Sequence, residues 1–310
     1  MTKPSRPRLH DYLELVRLPN VFTAMADVAM GLLFVRADEG PQPDWVIGLL
    51  IAASSLLYMS GVVLNDVFDL ARDTEERPER PLPSGRVSPA AAMRLGWALL
   101  LVGAALPVGA ALLLQNFKPV AVGALLAASI VVYNALLKRT VLGPILMGAC
   151  RMLNVLLGMS VLADPLRAEH WVVAGGIGVY IVGVTWLSRT ETATSKRPGV
   201  ALAALVMLSG IALLGSLPHW TEDIVPLLQA EPWRWHMLMG MLGLLIGWRW
   251  IWALMEPWPS RVQMAVGHSI LSLVMLDAAA CFAVRDVAAA VTILFLLIPA
   301  MFTQRWIAST

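Results

Sequence analysis

Ten long apolar runs separated by short polar stretches dominate the chain: residues 20–36, 44–65, 92–114, 119–137, 141–162, 171–188, 199–217, 235–254, 265–284 and 287–303. Most approach the roughly 20 residues a helix needs to cross about 30 Å of hydrocarbon. In lipid, runs this long satisfy every backbone N–H and C=O only as helices. The last two runs are parted only by Arg285 and Asp286, a tight turn or a break, so the count is nine or ten. The pattern predicts an all-α, polytopic membrane bundle, read as a single transmembrane domain over residues 1–310. No secretory signal is expected, because the first run is long and lacks a small-residue cleavage sequence.

Composition sharpens this. Hydrophobic residues make up 58% of the chain and charged residues 14%. A water-soluble fold could not bury that much apolar surface with so few charges to cover it. A cytosolic enzyme and a disordered chain are excluded, and a net charge of +2 argues against a nucleic-acid binder. Cys150 and Cys281 lie in apolar runs and are expected as buried, reduced thiols. The five histidines show no ligand spacing. Lys and Arg are biased to one side: fourteen fall in the amino terminus and even-numbered connections, five in the others. Cytoplasmic loops carry such an excess, which places the amino terminus and the even-numbered connections in the cytoplasm.

The acids are uneven too. Six of the 21 (Asp66, Asp69, Asp73, Glu75, Glu76, Glu79) fall in one short stretch, and none lies between Arg80 and Ala163. If the second helix continues past its apolar run, Asn65, Asp69 and Asp73 recur every four residues, with Asp66 three before Asp69. Those spacings share one helix face. Like charges so placed repel and call for a cation, and hard oxygen donors suit Mg²⁺. The plainer alternative, a solvated acidic loop, accounts for Glu75, Glu76 and Glu79 but not for three aspartates in helical phase. Arg80-Pro81-Leu82-Pro83-Ser84-Gly85-Arg86 follows as a shaped loop whose arginines could meet anionic oxygen.

The run N-D-x-x-D-x-x-x-D followed by R-P-L-P-S-G resembles the first signature of the UbiA superfamily of intramembrane prenyltransferases. Arg17-Leu18-Pro19-Asn20 opens the first helix as that family's does, and Tyr133-Asn134-Ala135-Leu136-Leu137-Lys138-Arg139 is similar to its stretch after helix four. The similarity runs through roughly residues 10–200; beyond that only the hydropathy matches.

The resemblance implies Mg²⁺-dependent transfer of a prenyl group from a polyprenyl diphosphate lipid to a small acceptor at the cytoplasmic face. It makes Asn65, Asp66, Asp69 and Asp73 metal or diphosphate ligands, and Lys138 and Arg139 cationic clamps. Arg17, Asn20, Arg80 and Tyr133 join the substrate-binding set. The family's second aspartate motif is reduced here to Ser188-Arg189-Thr190-Glu191, and Glu191 is the only acid between Glu169 and Glu222. Arg189 and Lys196 could neutralise a diphosphate directly. This variant resembles the EboC-like branch of the superfamily.

Charged groups also occur at membrane depth: Asp27, Arg151, Arg249 and Asp277. Such groups face a cavity or a partner. Arg151 and Asn154, one turn apart, are candidates to line an acceptor or diphosphate pocket, or Arg151 pairs with Asp27; Arg249 is expected to snorkel. Three alternatives stand beside the transferase: a degenerate member that binds or carries a polyprenyl lipid, a CDP-alcohol phosphotransferase, and an ion-coupled transporter built on Asp27 and Asp277. The phosphotransferase signature is not met, since position 70 is Leu and Asp73 follows Arg72.

Overall fold

The structure, a computed structural model, describes residues 8–39, 43–190 and 194–307. Among these residues the regular structure is entirely helical: α1 Leu9–Leu15, α2 Leu18–Glu39, α3 Asp44–Phe68, α4 Leu70–Glu76, α5 Pro89–Leu114, α6 Lys118–Val132, α7 Gly143–Met159, α8 Ala168–Ser188, α9 Arg197–Gly215, α10 Pro226–Ala230, α11 Trp233–Met255, α12 Pro259–Val284, α13 Val287–Leu294 and α14 Leu297–Gln304. Every predicted apolar run is helical. Nine spans among the described residues are long and apolar enough to cross a membrane, α13 and α14 together making one. The remaining run, 141–162, forms α7, whose 17 residues extend only about 25 Å. The protein is an integral, multi-pass membrane protein.

The ambiguity at Arg285 and Asp286 resolves as a break. Arg285 leaves the helical region at φ −117°, ψ −93°, and Asp286 caps α13 by accepting from the Ala289 N–H at 2.7 Å.

Helix α2 lies inside the bundle, against α3, α7, α12 and α14. Its Leu18–Val35 stretch is 72% buried, against 17% for Val287–Gln304, so α2 is shielded while the last span faces lipid. The α2–α7 crossing is backbone on backbone: a Cβ on Gly31 would strike Val155 O, and one on Gly158 would strike Val28 O. Small residues permit such close approach, and dispersion then holds the helices. On the outside, α5 and α11 present large exposed side chains such as Leu101, Leu112 and Leu244, the sign of a surface solvated by acyl chains.

Candidate active site

Helix α3 emerges carrying Asn65 and Asp66 in its last turn. At Asp69 the backbone relaxes to φ −98°, ψ 4°, and α4 begins. The hydrogen-bond ladder nevertheless continues: Asp69 N donates to Asn65 O at 3.0 Å and Asp73 N to Asp69 O at 2.9 Å. The predicted register therefore survives a local interruption. Asp66 and Asp73 are buried, while Glu75 and Glu76 are exposed, as expected of a solvated flank. A helix C-terminus is the negative end of the macrodipole, so carboxylates stacked there need nearby cations.

Four arrive, from three segments. Arg17 Nη2 lies 3.1 Å from Asp66 Oδ1. Its backbone sits in the left-handed region at φ 48°, a conformation costing roughly 1–2 kcal/mol for a residue with a Cβ, and it turns the chain from α1 into α2. Arg80 Nη1 lies 2.8 Å from Asp73 Oδ2 and 3.6 Å from Asp66 Oδ1. Lys138 Nζ donates to both Asn65 Oδ1 and Asp69 Oδ2. Arg139, largely exposed, approaches Asp69 Oδ1 at 3.3 Å.

Local structure explains each placement. Tyr133–Leu137 forms one π-helical turn, closed by Lys138 N donating to Tyr133 O at 2.9 Å. Such bulges concentrate at functional sites; here the turn precedes Lys138, whose ammonium reaches the α3 terminus. Asn134 Nδ2 ties the turn to α3 by donating to Gly61 O at 3.2 Å. Tyr133 itself is buried in this turn. Gly85, at φ 74°, lets the loop after α4 fold back, with Val87 N donating to Pro81 O at 3.0 Å. Arg86 fastens that loop to α1 through Asp11 at 2.8 Å and Glu14 at 2.6 Å. The expectation that this loop's arginines meet anionic oxygen holds for Arg86, and the oxygens are the chain's own, from these two acids.

Burial pushes the Asp69 carboxyl up, but the hydrogen bonds and charges of Lys138, then Arg139, outweigh it and hold Asp69 below the usual carboxylate range. Arg80 is the most enclosed cation at the cluster, and its Nε and Nη2 are buried without a partner among the described residues. Buried donors left unmatched are costly, which makes this guanidinium the cluster's candidate for an anionic acceptor.

The donor set also suits a divalent cation. Asn65 and Asp69 converge on one point, where the Lys138 ammonium stands, and all four groups offer hard oxygens. Among the described residues no three acidic, histidine or cysteine side chains are gathered tightly enough to hold an ion by themselves. Lys138 and Arg80 therefore stand where a bound cation would compete.

The other predicted residues divide. Glu191 lies outside the described residues. Arg189 Nη1 donates to Thr140 O at 2.9 Å, docking its loop beside Arg139 rather than on the aspartates. Lys196 is exposed at the start of α9. Arg151 and Asn154 join a buried network: Arg151 Nη1 lies 2.7 Å from Asp27 Oδ2, Arg151 Nη2 donates to Thr23 Oγ1 at 3.0 Å, and Asn154 Nδ2 donates to Asp27 Oδ2 at 2.9 Å. The expected Asp27–Arg151 pairing is present. Asp277, from α12, is also fully buried, and its two carboxyl oxygens have no hydrogen-bond partner among the described residues. Tyr58 was not anticipated. Its ring lies 5.3 Å from the Arg151 guanidinium, adding a cation–π contact to this network. Its place in the middle of an apolar run hid it. Cys150 and Cys281 are free thiols, Cys281 fully buried.

The family model described as the UbiA prenyltransferase family matches residues 24–265, more than three quarters of the chain. This chain belongs to the UbiA prenyltransferase family. The match continues past residue 200, where the sequence reading found only shared hydropathy. A digeranylgeranylglyceryl phosphate synthase of Saccharolobus solfataricus is 32% identical over 137 residues, 43% of this chain and 44% of that protein. One from Methanopyrus kandleri is 33% identical over 154 residues, 47% of this chain and 53% of that protein. The chain thus matches about half of these curated relatives' length. Among solved structures, a UbiA homolog from Archaeoglobus fulgidus bound to GPP and Mg²⁺ superposes with a TM-score of 0.60 at 13% identity, covering 85% of this chain and 99% of the other. At that identity the likeness is one of fold, and it extends the UbiA architecture over most of this chain.

Proposed function

We propose that this protein transfers a prenyl group from an allylic prenyl diphosphate to a small acceptor, with Mg²⁺, at the end of the bundle where α3 meets α4. The carrying observation is Arg80: a buried guanidinium with two unpartnered nitrogens, set between Asp66 and Asp73. Its planar fork matches phosphate oxygens. The names of the S. solfataricus and M. kandleri relatives and the A. fulgidus homolog's bound GPP and Mg²⁺ support a diphosphate donor.

In this reading Arg80, Lys138, Arg139 and Arg17 bind the diphosphate, with Arg189 and Lys196 on the neighbouring loop, Glu191 as its acid, and Tyr133 and Asn20 shaping the wall. Asn65, Asp66, Asp69 and Asp73 would hold Mg²⁺, which neutralises leaving-group charge when bound. As the C–O bond breaks, the electron pair stays with diphosphate, and pre-positioned arginine and lysine donors meet the charge that develops there. The acceptor's nucleophilic atom forms the new bond to the allylic carbon and gives up its proton. Arg151 and Asn154 brace the site from below through Asp27 and through Thr23, whose hydroxyl donates to Asn20 O at 2.8 Å. The Lys/Arg bias supports a cytoplasmic amino terminus and active site.

The test is purified protein incubated with Mg²⁺ and a labelled allylic diphosphate. Release of labelled diphosphate in the presence of acceptor supports transfer. The second reading, a lipid-binding member without chemistry, is favoured by the pairing of all three aspartates with cations; it requires tight retention of the diphosphate and no release.

A further inference from the structure

A second cationic site lies on the flank of the bundle, away from the aspartates. Helix α11 has 23 residues, about 34 Å of rise, enough to span a bilayer. Arg249 sits six residues before its end, about 9 Å back along the axis. It is exposed, as are its neighbours Leu245, Trp248 and Trp252, so the face it occupies meets acyl chains. A guanidinium there is expensive unless it reaches a partner. Among the described residues no carboxylate pairs with Arg249; its Nη1 contacts only the Met264 thioether, at 3.9 Å.

Arg249 borders a cleft of about 150 Å³ walled by Trp248, Trp252, Arg261 and Met264. Arg261, from the first turn of α12, lies over the Trp252 ring with its guanidinium carbon 5.3 Å from the centroid. Its Nε is 3.3 Å from Glu256 Oε2. Two arginines and one glutamate leave the cleft with one excess positive charge. Tryptophans flanking arginines at a span's end form the ordinary setting of a phospholipid headgroup.

The cleft adjoins elements near the candidate active site. Ser195 N donates to Pro257 O at 3.0 Å, and Arg197 Nη2 donates to Met255 O at 3.0 Å. The α11–α12 turn is thereby tied to the segment leading into α9. Arg189, which follows α8, donates to Thr140 O at 2.9 Å, beside Lys138 and Arg139.

We infer that Arg249 and Arg261, between Trp248 and Trp252, bind the phosphate of an anionic membrane phospholipid from the leaflet on the aspartate side. The glycerol and acyl chains then lie along the exposed apolar face of α11. The lipid steadies the α11–α12 turn and, through Pro257 and Met255, the segment entering α9. A soluble phosphate offers the same oxygens but no chains for that face.

The test is native mass spectrometry of the full-length, delipidated protein titrated with phosphatidylglycerol, phosphatidylcholine or inorganic phosphate. One phosphatidylglycerol should be retained in preference to phosphatidylcholine, and inorganic phosphate should not displace it. Each arginine near an anionic lipid surface contributes about fivefold, so Arg249→Gln with Arg261→Gln should weaken retention by roughly thirtyfold. The single Arg249→Gln, on an exposed position, should weaken it about fivefold and guards against misfolding of the double variant. Equal retention by wild type and variants, equal binding of the two lipids, or displacement by inorganic phosphate would each overturn the inference.

Discussion

Arg80 Nη1 stands 2.8 Å from Asp73 Oδ2, the two residues seven apart in sequence and both buried. The contact joins the shaped loop to the aspartate helix and leaves two Arg80 nitrogens open. Arg80→Gln should therefore lower diphosphate release by about 100-fold or more, the scale of removing one donor from a developing anion. Arg139, at 69% side-chain exposure, is screened by water, and Arg139→Gln should cost less than about fivefold. Steady-state assays of both proteins check the order; a larger loss at Arg139 would reverse the assignment.

Asp69 and Asp73 occupy the same register but hold different cations, Lys138 and Arg80. Asp69→Ala and Asp73→Ala should each abolish turnover, and Asp73→Ala, which leaves the buried Arg80 without its carboxylate, should also lower the thermal transition in detergent. Full turnover in either variant would sink the transferase assignment.

Arg151 is enclosed with two carboxyls, Asp27 and Asp277, in the bundle interior. Arg151→Met strands Asp27 and should destabilise by about 3–5 kcal/mol, the scale of breaking one partner from a buried pair. Asp277→Asn removes an acid whose two oxygens accept no hydrogen bond among the described residues, and should be neutral or stabilising. Chemical denaturation in detergent measures both.

Two carboxyls outside the spans report on pH. Asp11 is held low chiefly by the Arg8 N–H, then by Arg86; Asp69 is held low by Lys138 and Arg139 against burial. For a depressed carboxyl the stabilisation is complete above the unfolded value of about 3.9 and is lost as pH falls through the folded value. The melting temperature should thus be insensitive to these groups from pH 8 to 5 and decline below about pH 4. Substituting Asp11→Asn should flatten part of that acid limb.

Glu75 is exposed in α4, on the aspartate side of the bundle. A Glu75→Cys protein in sealed right-side-out vesicles should react with an impermeant thiol reagent only after permeabilisation. Labelling before permeabilisation would place this end outside the cytoplasm.

Much of this protein was readable from local pattern. Ten apolar runs became ten helical segments because the low dielectric of lipid forces each backbone to satisfy itself locally. Asn65, Asp66, Asp69 and Asp73 kept helical phase for the same short-range reason, and the Asp27–Arg151 pair was foreseeable because a buried charge must find a partner. What pattern could not supply was the meeting of distant segments. The left-handed turn at Arg17, the π-helical turn before Lys138, the capture of Arg86 by Asp11 and Glu14, and Tyr58 beneath Arg151 depend on how α1, α3, α6 and α7 pack. Composition along the chain decides which segments enter the membrane. Which cation faces which aspartate is decided by side-chain packing between helices, a geometry with no period in the sequence.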